Sequence, residues 1–220
     1  NTWIRGRNRF LVITHLNPDG DAIGSAQGMS AALRALGKHS SCYFQTEVPP
    51  PYLPFVDQDW TLYGDIDLSP FDTVITVDCA AADRLAIPNA LELDELNIPC
   101  ANIDHHISND GFGDCDLVDC STAATSEVLS RLFEGFNYPI TPEIATALLV
   151  GVVTDCGSFR FNNTTSQTMR SAAWLMDQGG DYHLVMEQMY FNEPASRMRL
   201  QGKVLENLRL TMNDRIATFF

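Results

Sequence analysis

The sequence holds no run of about 18 apolar residues, so no helical membrane span is expected. Its first residues, Asn1-Thr2-Trp3-Ile4-Arg5, lack the apolar core of a secretory signal. Cations are scarce: 14 Lys and Arg stand against 28 Asp and Glu, a formal charge of −14. No basic stripe is visible, so stable binding along a nucleic-acid duplex is not expected. An acidic chain can still take a phosphate-bearing substrate when cations lie between carboxylate and phosphate. The six cysteines form no CxxC pair. Neither a zinc knuckle nor a disulfide framework is therefore indicated, and a reduced, cytoplasmic chain is expected. No repeat or low-complexity tract is present. What remains is ordinary globular composition, 45% hydrophobic and 19% charged over 220 residues, enough for one large domain or one domain and the start of another.

Strand and helix signals alternate along the chain. Phe10 to Ile13 reads as a buried strand, followed by a polar loop from His15 to Asp21 and an Ala-rich helix from Ala22 to Leu36 that stops at Gly37. Ser41 to Gln45 reads as a strand, and the proline-rich stretch Val48 to Pro54 as loop. Thr73 to Val77 is a strand ending at Asp78, and Pro99 to Ile103 one ending at Asp104. Helices follow from Ser126 to Phe136, from Pro142 behind the cap Thr141, from Thr165 or Ser166 to near Gly179, after Asp181, and from Pro194 to about Leu208. Leu208 to Met212 and Arg215 to Phe220 read as two strands about a turn. The pattern predicts an α/β fold, a largely parallel sheet flanked by helices. Residues 1–192 are expected to form the main domain, 193–207 a linker helix and 208–220 the start of a second domain. The missing starting Met and the abrupt apolar end lead to the expectation of a piece of a longer protein.

Three predicted strands end in polar residues of one kind. The first runs into His15, Asp19 and Asp21, the second into Asp78, the third into Asp104-His105-His106. Ligands of open α/β sheets bind beyond the carboxyl ends of the strands, so these side chains should converge, joined by Asp155 if its helix ends at the same edge. Crowded carboxylates without compensation repel one another and protonate. Two divalent cations would balance them, and oxygen-rich ligation with some imidazole suits Mn²⁺ or Mg²⁺. Such a pair is the usual clamp for phosphoryl displacement. Asp21 also stands where a helix N-cap belongs, and Gly24 and Gly28 would let this helix lie close to the sheet.

His15-x-x-x-Asp19-x-Asp21, Asp78 after a strand, Asp104-His105-His106 and Thr154-Asp155-Cys156-Gly157 resemble, in order and spacing, the motifs of the DHH phosphoesterases. Asn17 to Ser25 and Thr154 to Thr165 look most like the branch of nanoRNases and 3′-phosphoadenosine-5′-phosphate phosphatases. The resemblance covers about residues 10–180. It implies hydrolysis of short oligoribonucleotides to mononucleotides, or of 3′-phosphoadenosine-5′-phosphate to AMP, by two-metal activation of water. It implies two Mn²⁺, with Mg²⁺ or another divalent ion as substitute. His15 and Asp19 would hold the first ion, Asp21, His105 and Asp155 the second, and Asp78 would bridge them. His106 would meet the scissile phosphate, and Arg84 would support the site or touch substrate. The partner is then a short RNA or nucleotide, without a membrane, and a homodimer is compatible with the family.

Members of this branch carry a glycine-rich, His-containing motif in a C-terminal domain, and no Gly-Gly-Gly-His occurs here. Other readings are an inorganic pyrophosphatase of the same superfamily, a cyclic-dinucleotide phosphodiesterase, or a catalytically idle nucleotide-binding domain. In the pyrophosphatase, Thr would stand where Gly20 stands. Cys79 and Cys156, beside two expected ligands, read as packing residues. Asp104 reads as the group that orients a neighbouring histidine.

Overall fold

The computed structural model describes residues 2–219. Six strands, β1 (Arg9–Ile13), β2 (His39–Phe44), β3 (Thr61–Tyr63), β4 (Thr73–Val77), β5 (Cys100–Asp104) and β6 (Cys115–Val118), form one sheet. Its order is β3-β2-β1-β4-β5-β6, and every neighbouring pair is parallel. A parallel sheet is covered on both faces, which is why β1 and β4 read as unbroken apolar runs. Successive residues nonetheless divide between the faces. Phe10 and Val12 join the core that holds Ile23, Met29, Leu129 and Leu148. Leu11 and Ile13 join a second core with Phe71, Val74, Leu85 and Leu96.

The helices are α1 (Thr2–Arg5), α2 (Gly20–Ala35), α3 (Thr125–Phe136), α4 (Pro142–Asp155), α5 (Ser166–Asp177), α6 (Tyr182–Met186) and α7 (Ala195–Glu206). Helix α4 buries every residue from Ile144 to Val153. A helix that is apolar on all sides belongs inside the helical layer. Thr141 caps α4, Thr165 caps α5 and Asp181 caps α6, as their sequences predict. Helix α6 then widens into a π-turn at Glu187–Phe191.

Where α2 crosses α4, glycine removes the side chains. A Cβ on Gly24 would strike the Ala147 carbonyl, and one on Gly151 would strike Ser126 Oγ and Asp21 Oδ1. Gly28 faces the Leu148 side chain in the same way. The small residues of α2 therefore serve contact with α4 rather than with the sheet.

Several expectations shift. Helix α2 begins at Gly20 with Asp19, not Asp21, as its N-cap. The proline-rich segment read as loop contains a three-ten turn at Pro50–Phe55. The short strands β3 and β6 have no counterpart in the sequence reading. Helix α7 buries none of its residues, and it leads to an antiparallel pair, β7 (Arg209–Thr211) with β8 (Ile216–Thr218). The final strand was expected to reach Phe220, which lies outside the described residues. Among the described residues, no helix is long and apolar enough to cross a membrane.

Candidate metal centre

The strand order reverses between β1 and β4, since β2 lies on one side of β1 and β4 on the other. Such a switch point opens a crevice beyond the carboxyl ends of the strands. The Thr14 hydroxyl spans it, donating to the Val77 carbonyl at 2.8 Å. The loop after β1 is tied down by Leu16 N–H on the Arg84 carbonyl and Ala86 N–H on the Thr14 carbonyl, each at 2.8 Å. At the end of β4 the chain turns through Asp78 in the left-handed region, φ 55°, a conformation that Asp tolerates better than most residues and that clusters at functional sites. Asp104 is the last residue of β5, and Asp155 the last of α4.

Two separate sets of donor atoms result, each set within 4.8 Å of its own members: His15, Asp19 and Asp78 in one, Asp21, His105 and Asp155 in the other; a third, Asp78, His105 and His106, overlaps both. Asp78 joins them, with His15 Nε2 at 3.8 Å and His105 Nε2 at 3.6 Å from its two oxygens. His105 Nε2 also lies 3.5 Å from Asp155 Oδ2. The rings are aimed from behind. His15 Nδ1 donates to the Leu16 carbonyl at 2.8 Å, which leaves Nε2 for the centre. Asp19 caps α2 through Oδ1, taking the N–H groups of Asp21 and Ala22 at 3.0 and 3.1 Å, so Oδ2 is the oxygen left for the centre.

Burial and mutual repulsion dominate the charges. Burial holds the Asp78 carboxyl well above the usual range, and the charges of Asp21, Asp19, Asp155 and Asp104 add to it. Burial also raises Asp21, against the pull of His105. Asp155 is pushed up to about 7 by burial and by Asp21 and Asp19. Among the described ion pairs, the partners of Asp78 and Asp155 are imidazoles. A cluster of converging carboxylates that ionises reluctantly, with imidazole nitrogens beside it, fits divalent cations of the Mn²⁺ and Mg²⁺ class.

His106 borders the same cluster, with Nδ1 3.8 Å from Asp78 Oδ1, but its short bond runs to a carboxylate behind it. Its Nδ1 donates to Asp104 Oδ1 at 2.7 Å, and Asn109 Nδ2 holds the other oxygen at 2.7 Å. Burial would raise Asp104, but the hydrogen bonds from His106 and Asn109 outweigh it and keep the carboxylate below its usual range. The same bond to Asp104 raises His106, against the effect of burial. The expected orienting role of Asp104 thus has a concrete geometry.

Arg84 lies on the three-ten turn after β4 with its side chain exposed, and its contact with the His15 loop is through its carbonyl. Burial raises the Cys79 thiol to about 11 and lifts Cys156 as well. Both are inert packing residues at neutral pH. Sequence reasoning missed Asn109, which buttresses Asp104, and Thr125 and Ser126, whose N–H groups clamp Asp21. A Thr-Ser pair opening a predicted helix was the available signal, but its target lies more than a hundred residues away in sequence.

One consequence is measurable. In the metal-free protein Asp155 binds a proton that the unfolded chain has released, so stability falls as pH rises through about 7. A cation must displace that proton. Binding of Mn²⁺ is therefore expected to release more protons at pH 6 than at pH 8. Calorimetry in two buffers of different ionisation heat reads this directly, and equal release at the two pH values would contradict it.

Comparison with known proteins follows the same line. The model of the "DHH family, N-terminal domain" matches residues 9–152. The bifunctional oligoribonuclease and PAP phosphatase NrnA of Thermus thermophilus is 36% identical over 210 residues, covering 95% of this chain and 62% of that protein. Its namesake in Bacillus subtilis is 28% identical over 219 residues, 96% of this chain and 66% of that one. The chain thus spans less than two thirds of the length of these relatives. The crystal structure of an exopolyphosphatase-related protein from Bacteroides fragilis superposes with a TM-score of 0.84 at 23% identity, over 96% of this chain and 64% of that one.

Proposed function

We infer a function from one premise: this chain belongs to the DHH family. We propose that it is a Mn²⁺-dependent phosphoesterase acting on short oligoribonucleotides, on 3′-phosphoadenosine-5′-phosphate, or on both. The observation that carries the reading is the pair of donor sets joined by Asp78. His15, Asp19 and Asp78 would hold one ion, and Asp21, His105 and Asp155, with Asp78, the other. When bound, the two cations supply Lewis acidity toward water and a phosphate oxygen.

The chain's own residues do the rest. Asp104 keeps a proton on His106 Nδ1, so the ring is a hydrogen-bond donor on one side and offers Nε2 to the phosphate on the other. Its raised pKa favours the protonated form, which suits it to stabilise negative charge on the departing group. The acidic balance and the lack of a basic stripe suit a short strand or nucleotide better than a duplex. The substrate classes come from the names of the NrnA relatives. Residues 193–207 are read as a linker helix and 208–220 as the opening of a second domain. The six unbridged cysteines fit a reducing cytoplasm.

The test is mononucleotide release from a diribonucleotide, with AMP release from 3′-phosphoadenosine-5′-phosphate in parallel, each with and without Mn²⁺. Metal-dependent cleavage of either is expected. Turnover of pyrophosphate alone would replace the proposal with a pyrophosphatase, and nucleotide binding without turnover would replace it with an idle binding domain.

A further inference from the structure

We propose that Thr125 is the positioning residue that holds the two donor sets in register, an inference that rests on the metal reading above. Thr125 is the first residue of α3. Its backbone N–H donates to Asp21 Oδ2 at 2.6 Å, and the next N–H, that of Ser126, donates to Asp21 Oδ1 at 3.0 Å. Its hydroxyl donates to Asp78 Oδ1 at 3.0 Å. Asp21 belongs to one set and Asp78 to the other. One residue therefore touches a carboxylate of each.

The local sequence explains why. A helix leaves its first N–H groups without partners inside the helix, and an N-cap side chain normally satisfies one of them. The N-cap of α3 is Ala124, which has no acceptor. Asp21, brought in from 104 residues away in sequence, takes that place. Its carboxylate caps α3 while it remains within reach of His105 and Asp155. The positive end of the helix favours negative charge there.

The hydroxyl performs a different task. Thr125 is fully buried, and Asp78 is 2% exposed. A hydroxyl directed at one oxygen of a buried carboxylate fixes the rotation of that carboxylate. Asp78 Oδ1 is the oxygen nearer His105 and Oδ2 the one nearer His15. The bond thus decides which oxygen serves which set. Hydrogen-bond partners behind metal ligands typically contribute about 10–100-fold in affinity or activity.

Removing the hydroxyl while keeping the backbone bond to Asp21 isolates this role. The chain, stripped of metal, is titrated with Mn²⁺ by calorimetry as wild type, Thr125→Val and Thr125→Ser, with Mn²⁺ electron paramagnetic resonance on each loaded sample. Thr125→Val is expected to weaken binding about 10–100-fold and to change the resonance spectrum. Thr125→Ser, which restores the donor, is expected to recover both to within about twofold, since the hydrogen bond to Asp78 is retained. If circular dichroism shows Thr125→Val unfolded, Thr125→Ala is read in its place. A wild-type isotherm and spectrum in the variant without the hydroxyl would overturn the proposal. So would a Thr125→Ser protein as weak as Thr125→Val, because side-chain volume rather than the donor would then matter. A folded wild type that binds no Mn²⁺ would bring down the metal reading itself, and this proposal with it.

Discussion

Asp78→Asn is expected to lower turnover by more than about 100-fold, beyond what outer-shell partners alone contribute, and to halve or abolish Mn²⁺ binding. The substitution keeps size and shape, removes the charge and turns one acceptor oxygen into an NH₂ donor. Asp78 lies 3.8 Å from His15, 3.6 Å from His105 and 3.8 Å from His106, so each histidine of the centre has it as a neighbour. The stability of the metal-free protein should move the other way. Burial and four neighbouring carboxylates penalise the Asp78 charge, and a neutral isostere relieves that penalty. The metal-free variant should melt at or above the wild-type temperature, while added Mn²⁺ should raise its melting point less than it raises that of the wild type. Calorimetric titration and a melting series with and without Mn²⁺ test both signs. Wild-type turnover in Asp78→Asn would sink the assignment of the centre.

Gly151→Ala should destabilise the fold by about 1–3 kcal/mol, the usual range for an overpacked core, or more. The new methyl group would run into Ser126 Oγ and Asp21 Oδ1, both buried. The backbone of α2 at Gly24 already presses on Gly151, where a Cβ would lie 2.8 Å from its nitrogen, so neither helix can yield easily. Asp21 travels with α2 and Asp155 with α4, and forcing the helices apart should weaken Mn²⁺ binding together with stability. Gly135→Ala is the control. It lies on α3 with nothing within 4 Å of the added carbon, and loss of backbone freedom in the unfolded chain should leave it neutral or more stable by about 0.4–1 kcal/mol. Denaturant unfolding and Mn²⁺ titration of the two variants make the comparison. Equal stability of Gly151→Ala and wild type would show that the close helix crossing is dispensable.

Much of this architecture was legible because it is written locally. The apolar runs at Phe10 to Ile13 and Thr73 to Val77 announce buried strands, and Thr141-Pro142 announces the start of α4. The convergence of His15, Asp78 and His105 followed from one rule about the ends of parallel strands, and it needed only that β1, β4 and β5 be neighbours. What failed was decided by distant partners. Asp19 and Asp21 are equally good caps for α2 by local chemistry. Asp21 is excluded because α3 claims its carboxylate. Strand β6 has only four residues, broken by Asp116, and β3 has only three, too short for a periodic signal. Asn109 is one polar loop residue among several until the fold places it on Asp104.

The route of the chain through the sheet also sets a timetable. β1 and β4 pair directly, so a polypeptide emerging from its N-terminus can gather His15, Asp19 and Asp78 once β4 has docked. The other set must wait for Asp155, at the far end of α4. Domains form as their residues leave the ribosome, and contacts between distant segments come late because the intervening chain must first be ordered. Every residue of the first donor set is thus synthesised well before Asp155 of the second.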